Sequence, residues 1–206
     1  MFQPRLNFRS CAYHVGVRQV FLVFPLAGVL LSRHHDSARG ALAKLAPVFV
    51  SYVLSFLYIA IYWHNHHHLL HAAGRVNGAI LWANTHLLFW LSLIPFATGW
   101  MGENQFAARP VAFYGVTLLM PAIAYCILQS VIIRSGAMHA GVVKAFGRDA
   151  KGKLSISAYV AAVGLAAISP WISIAIYVLI ALVWLIPDRR IERALADDDA
   201  AHPRKD

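Results

Sequence analysis

Five imidazoles fall within eight residues: His64, His66, His67, His68 and His71. If a helix runs through them, His64/His68 and His67/His71 are i,i+4 pairs on shared faces. Two neutral imidazoles at that spacing can hold a zinc or iron ion. A third and fourth ligand are missing from the pattern, because no Asp or Glu lies within an apolar run and Glu103 falls at the far end of the next one. A di-iron oxygenase would need several separated histidine boxes, and this chain has one. The competing reading makes the imidazoles interfacial groups that hydrogen-bond inside a helix bundle or meet headgroup water. That reading is preferred, with no cofactor and no metal expected. A membrane-embedded metalloenzyme using His64, His67, His68 and His71 stands as the alternative.

Other chemistry is sparse. Ser51, Ser55, Ser92, Ser130, Ser155, Ser157 and Ser173 lie in apolar stretches without an acidic partner. Such serines usually pack closely and bond a backbone carbonyl. No glycine-rich phosphate loop is present. Cys11 and Cys126 support neither a disulfide nor a metal site. The chain is therefore not expected to be an enzyme.

The elements that must position the histidines are apolar. The chain has 206 residues, 59% hydrophobic and 13% charged, with a mean hydropathy of +0.58. A soluble domain carries far more surface charge. Six apolar runs stand out, near 17–31, 45–63, 79–101, 111–133, 154–169 and 171–187. Runs two, three and four approach the ~20 residues that cross ~30 Å of hydrocarbon. Runs five and six are too long together for one span, and Ser169-Pro170-Trp171 breaks them into a tight hairpin of short helices. The expected fold is all-α: a polytopic membrane helix bundle with six transmembrane helices. Residues 1–188 form the membrane domain and 189–206 a charged tail. The amino end, with Arg5, Arg9 and Arg18 before an apolar run, reads as a first span or signal anchor.

The net charge of +9 is orientation and lipid contact rather than nucleic-acid binding, because the basic residues cluster in the gaps between runs. With six spans, fourteen of the 18 Lys and Arg fall on one side, which makes both termini cytoplasmic. Arg18 is the one strongly charged candidate near hydrocarbon, and intramembrane carboxylates are absent. Proton-coupled transporters rely on such charges. The chain suits a passive path lined by apolar or weakly polar groups and closed by constriction. Trp63, Trp82, Trp90, Trp100, Trp171 and Trp184 read as an interfacial belt. Trp63 and Trp82 also fit an internal network, since Asn65 and Asn84 lie close to them in sequence.

Residues 42–187 resemble the lysosomal potassium channel family, transmembrane protein 175 and its bacterial half-length relatives. The resemblance rests on Pro47-Val-Phe-Val-Ser-Tyr-Val-Leu-Ser-Phe56, Ile61-Tyr-Trp-His-Asn-His-His67, Leu81-Trp-Ala-Asn84, Ile94-Pro-Phe-Ala-Thr98 and Gly102-Glu103, in that order. It implies a homotetrameric, multi-pass cation channel of the bacterial inner membrane, conducting potassium or other monovalent cations. It implies that Arg9, Trp63, Asn65, His66, His67, Trp82 and Asn84 brace the pore helix. It also implies that the first span lines the pore, with Val20, Phe24 and Ala27 at the constriction. The family's Phe-Ser-Asp motif is replaced by Tyr13-His14-Val15. A divergent or frame-shifted amino end is therefore expected before Leu42. A non-conducting, degenerate member is a further alternative.

Overall fold

The computed structural model describes residues 38–73, 76–138, 143 and 150–186. The first span, with Arg9, Val20, Phe24 and Ala27, and the tail 189–206 lie outside the described residues. Those that are described form helices and turns, with no strand among them.

Five helices carry the bundle: α1 (Ala38–Ala72), α2 (Gly78–Glu103), α3 (Ala108–Arg134), α4 (Ala150–Leu165) and α5 (Pro170–Leu185). Helix α1 has 35 residues, roughly 52 Å at 1.5 Å per residue. It outruns the apolar run 45–63 at both ends. The histidine cluster therefore continues the helix rather than starting a loop, because none of its residues breaks a helix and its carbonyls need intrahelical donors.

Helix α2 begins where Asn77 caps it. The Asn77 side-chain carbonyl accepts from the Ile80 amide at 2.9 Å, satisfying one of the orphan donors of the first turn. Its inward stripe is Ile80, Ala83, Leu87, Leu91, Ile94, Ala97/Thr98 and Met101, at spacings of three or four residues. Pro95 sits inside α2 and Pro121 inside α3, a placement that membrane helices tolerate when neighbours satisfy the freed carbonyls. Thr98 donates back to the Ile94 carbonyl at 2.5 Å, beside the first of these prolines. The α2–α3 turn holds Gln105 and Phe106 at φ of 49° and 59°. That left-handed conformation is costly for side chains of this size. The Phe106 ring lies against Trp171 at the start of α5, with centroids 5.6 Å apart.

Helices α2 and α3 are each long and apolar enough to cross a membrane, and α5 is apolar but shorter. Only 28% of the most apolar stretch of α2, and 44% of that of α3, is buried inside the chain. Most of that surface faces outward, to lipid or to another chain. The hairpin α4–α5 breaks where expected, with Ser169 as cap and Pro170 at the first helical positions of α5. Both its helices have 16 residues, roughly 24 Å. They are short, but Tyr159, Ala162 and Tyr177 place them inside the core rather than at its edge.

Four tyrosines from four helices meet at the centre: Tyr58 of α1, Tyr114 of α3, Tyr159 of α4 and Tyr177 of α5. Their rings pair edge-on or tilted at 5.7–6.4 Å between centroids, the geometry that ring quadrupoles favour. The Tyr58 hydroxyl donates to the Tyr177 backbone carbonyl at 2.6 Å. Tyr159 donates to the Tyr58 oxygen at 3.4 Å, and Tyr177 donates to the Val111 carbonyl at 3.4 Å.

This centre needs a glycine. A methyl group on Gly115 would overlap the Tyr177 hydroxyl and sit 2.7 Å from Val163 Cγ2. Gly115→Ala is expected to cost about 1–3 kcal/mol by overpacking, read as a lowered thermal melt of the detergent-solubilised protein. Gly164→Ala, where a Cβ meets open space, should leave the melt unchanged or raise it. Equal melts for the two variants would dismiss the close packing described here.

Candidate functional site

The loop between α1 and α2 is short, so the carboxyl end of α1 lies beside the amino end of α2. This hairpin brings His66 opposite Asn84. His66 Nε2 and Asn84 Oδ1 are 2.5 Å apart, and the His66 side chain is buried. A pair of this kind satisfies two polar groups that lipid would penalise separately. One residue earlier, Asn65 donates through Nδ2 to the Ile61 carbonyl at 2.8 Å, and its own backbone carbonyl accepts from the Tyr125 hydroxyl of α3 at 3.3 Å. The Trp63 ring lies over His66 and His67, with centroids 6.4 and 6.5 Å away.

Four residues of the expected network are therefore clustered: Trp63, Asn65, His66 and Asn84. His67 and Trp82 are turned outward, and Trp82 is 78% exposed. Neither is bonded to the His66–Asn84 pair. They sit on the face of the α1–α2 hairpin that the described helices leave uncovered.

Beneath the network, α1, α3, α4 and α5 enclose a cavity of about 30 Å³ bordered by Tyr62, Asn65, Tyr125, Ser155, Tyr159 and Trp184, among others. That is room for one or two waters, far short of an ion path. The Trp184 indole donates to Ser155 Oγ at 2.8 Å, so this tryptophan is bonded within the bundle. Across the same hairpin, Ser173 donates to the Ala162 carbonyl at 2.7 Å.

The histidine pairs behave differently from His66. His64 and His68 approach each other on an exposed face, and the rings of His67 and His71 are 6.2 Å apart between centroids. Among the described residues, no group of three or more His, Cys, Asp or Glu side chains converges on a point where an ion could sit. The ligand set that a metalloenzyme would require is not assembled there.

The residues that sequence reasoning missed are the four central tyrosines. Their signal was available: a hydroxyl within each of four apolar runs calls for a partner. Nothing in the linear order tells that these four rings meet.

Comparison with known proteins gives this arrangement a context. The family model described as endosomal/lysosomal potassium channel TMEM175 matches residues 19–95. A potassium channel from Chryseobacterium sp. (strain P1-3) is 48% identical over 162 residues, which is 79% of this chain and 84% of that protein. The chain belongs to the TMEM175 family. A second relative, a potassium channel from Streptomyces collinus, is 28% identical over 151 residues, 70% of this chain and 73% of its own length. The crystal structure of a TMEM175 homolog from Chamaesiphon minutus, described as a lysosomal potassium-selective channel, aligns at a TM-score of 0.62 and 21% identity over 85% of this chain and 97% of that one. This last likeness carries the fold, a membrane helix bundle. The relatives are channels, not enzymes.

One sequence expectation needs correction. The family match starts at residue 19, inside the first apolar run, so the resemblance does not stop at Leu42. Residues 19–41, with Val20, Phe24 and Ala27, fall within the family's bounds, whereas Arg9 and the Tyr13-His14-Val15 departure precede the matched segment.

The His66–Asn84 pair makes a measurable claim. His66→Ala or Asn84→Ala alone leaves one buried polar group unpaired, at a cost of about 1–3 kcal/mol. The double variant should cost less than the sum, with a coupling of about 0.6–1.7 kcal/mol, obtained from denaturation of the four proteins in one detergent. Strict additivity would show that the two side chains are not coupled.

Proposed function

We propose that this chain is a membrane potassium channel that works as a homotetramer, with the ion path on the symmetry axis between subunits. The observation that carries the reading is the 48% identity to a potassium channel over four-fifths of this chain. A physical argument supports the location of the path. The interior of the described bundle is filled by Tyr58, Tyr114, Tyr159 and Tyr177, and its cavity takes a water or two. No hydrated cation crosses such a core. A conduit must therefore lie outside the single-chain bundle, which calls for several copies around it.

In this reading residues 1–188 form a six-span channel domain, 189–206 form a cytoplasmic tail, and both termini face the cytoplasm of a bacterium whose inner membrane holds the protein. The first span lines the pore. Val20, Phe24 and Ala27 follow one helical face at i, i+4, i+7 and form an apolar constriction that closes by excluding water. Potassium and other monovalent cations pass when the constriction widens. Trp63, Asn65, His66, His67, Trp82 and Asn84 brace the pore helix. The inclusion of residues 19–41 in the family match supports the first-span assignment. The outward placement of Trp82 supports the bracing role, because that ring is available to a helix laid against the α1–α2 hairpin. Arg9 completes the network from the amino end.

Purified protein in potassium-loaded liposomes should show potassium flux without valinomycin, and native mass spectrometry should show four copies. Phe24→Ala should raise the resting flux severalfold by opening the constriction. Absence of flux from well-folded tetramers would favour the non-conducting member, and a monomer would defeat the axial pore.

A further inference from the structure

Among the imidazoles of α1 that face away from Asn84, one pair has a specific geometry. His64 Nε2 and His68 Nε2 are 3.2 Å apart. Their rings are 4.5 Å apart between centroids and inclined at 79°. Two nitrogens bound to one zinc ion at about 2.0–2.1 Å, with a near-tetrahedral angle between them, lie roughly 3.3 Å apart. The pair therefore stands at the bite distance of a chelated ion before any ion arrives.

We propose that His64 and His68 bind a divalent transition-metal ion of the zinc, nickel or copper class, one per chain, at the exposed end of α1. In the unloaded pair one ring donates its Nε2 proton to the other. On binding, both rings carry their proton on Nδ1 and present the Nε2 lone pair to the metal. The change is a tautomer shift with no redox step. Two neutral imidazoles select borderline metals over magnesium or calcium, which take oxygen ligands. No third side chain joins among the described residues, so water fills the remaining positions and the ion exchanges freely. This separates the site from both a structural zinc centre and an enzyme. The chelate spans one helical turn, immediately after Trp63, and ties residues 64–68 of α1 together where the helix leaves its apolar run. The proposal does not depend on conduction.

Isothermal titration of zinc chloride or nickel chloride into the full-length detergent-solubilised protein tests it. One ion per chain is expected, with affinity reduced at least roughly tenfold by His64→Ala and by His68→Ala. His86→Ala, which removes an imidazole bonded to Trp90, and His71→Ala should bind as the parent does. Copper titrated into the parent protein should give an electron paramagnetic resonance spectrum with two equatorial nitrogens. Since loss of binding could reflect misfolding, His64→Gln is included, and circular dichroism and size-exclusion profiles must match the parent. The proposal is overturned if the parent binds no ion, if both single variants retain parental affinity, or if His71→Ala abolishes binding.

Discussion

Four phenol rings in the middle of an apolar bundle impose the central constraint on this protein. A tyrosine hydroxyl in the hydrocarbon region has no water to bond, and leaving it bare is costly. Three of the four hydroxyls bond to another helix, and that of Tyr114 has no partner among the described residues. Tyr58 of α1 reaches a carbonyl of α5, Tyr159 of α4 reaches Tyr58, and Tyr177 of α5 reaches a carbonyl of α3. These bonds fix the height and rotation of α1, α3, α4 and α5 relative to one another. The rings fill the centre, and Tyr58 and Tyr159 also border the small cavity beside it. Gly115 is a consequence, since no side chain fits between α3 and the Tyr177 hydroxyl. A filled centre also decides where ions cannot go.

Nearer the membrane surface the same logic applies with different groups. The α1–α2 hairpin is held by an imidazole and an amide, the α1–α3 contact by a phenol and a backbone carbonyl, and the α4–α5 hairpin by an indole on a serine and a serine on a carbonyl. Apolar packing between these helices cannot select one register in lipid, because lipid tails are as apolar as leucine. The polar pairs do, since a one-residue rotation of α1 would carry His66 away from Asn84.

Much of the architecture was legible in the chain. Long apolar runs foretold α2 and α3 to within a turn, and Ser169-Pro170-Trp171 marked the break in the last hairpin, because proline cannot accept the helix from behind. The extent of α1 was not legible. Hydropathy falls at the histidines, but helical propensity does not, and the backbone follows propensity. The network was legible as a set of residues and only partly as a geometry. His66 and Asn84 meet, while Trp82 faces outward, because which side of a helix a residue occupies depends on partners that sequence does not name. The tyrosine centre was invisible for the same reason. Its members are separated by up to 119 positions.

The outward surface follows a second rule, complementary to the first. Many polar groups on the outside bond within their own helix, as the buried Thr98 and Thr117 also do. Thr85 donates to the Leu81 carbonyl, Ser92 to Phe89, Ser130 to Cys126 and Ser157 to Lys153. The Trp90 indole is held by His86 one turn away. These short-range bonds meet the polar demands of those side chains, which lie among exposed Phe89, Phe96, Ile127 and Val160. A lipid tail or a neighbouring chain can cover such a surface with no polar penalty. Contacts there are selected by shape rather than by hydrogen bonding.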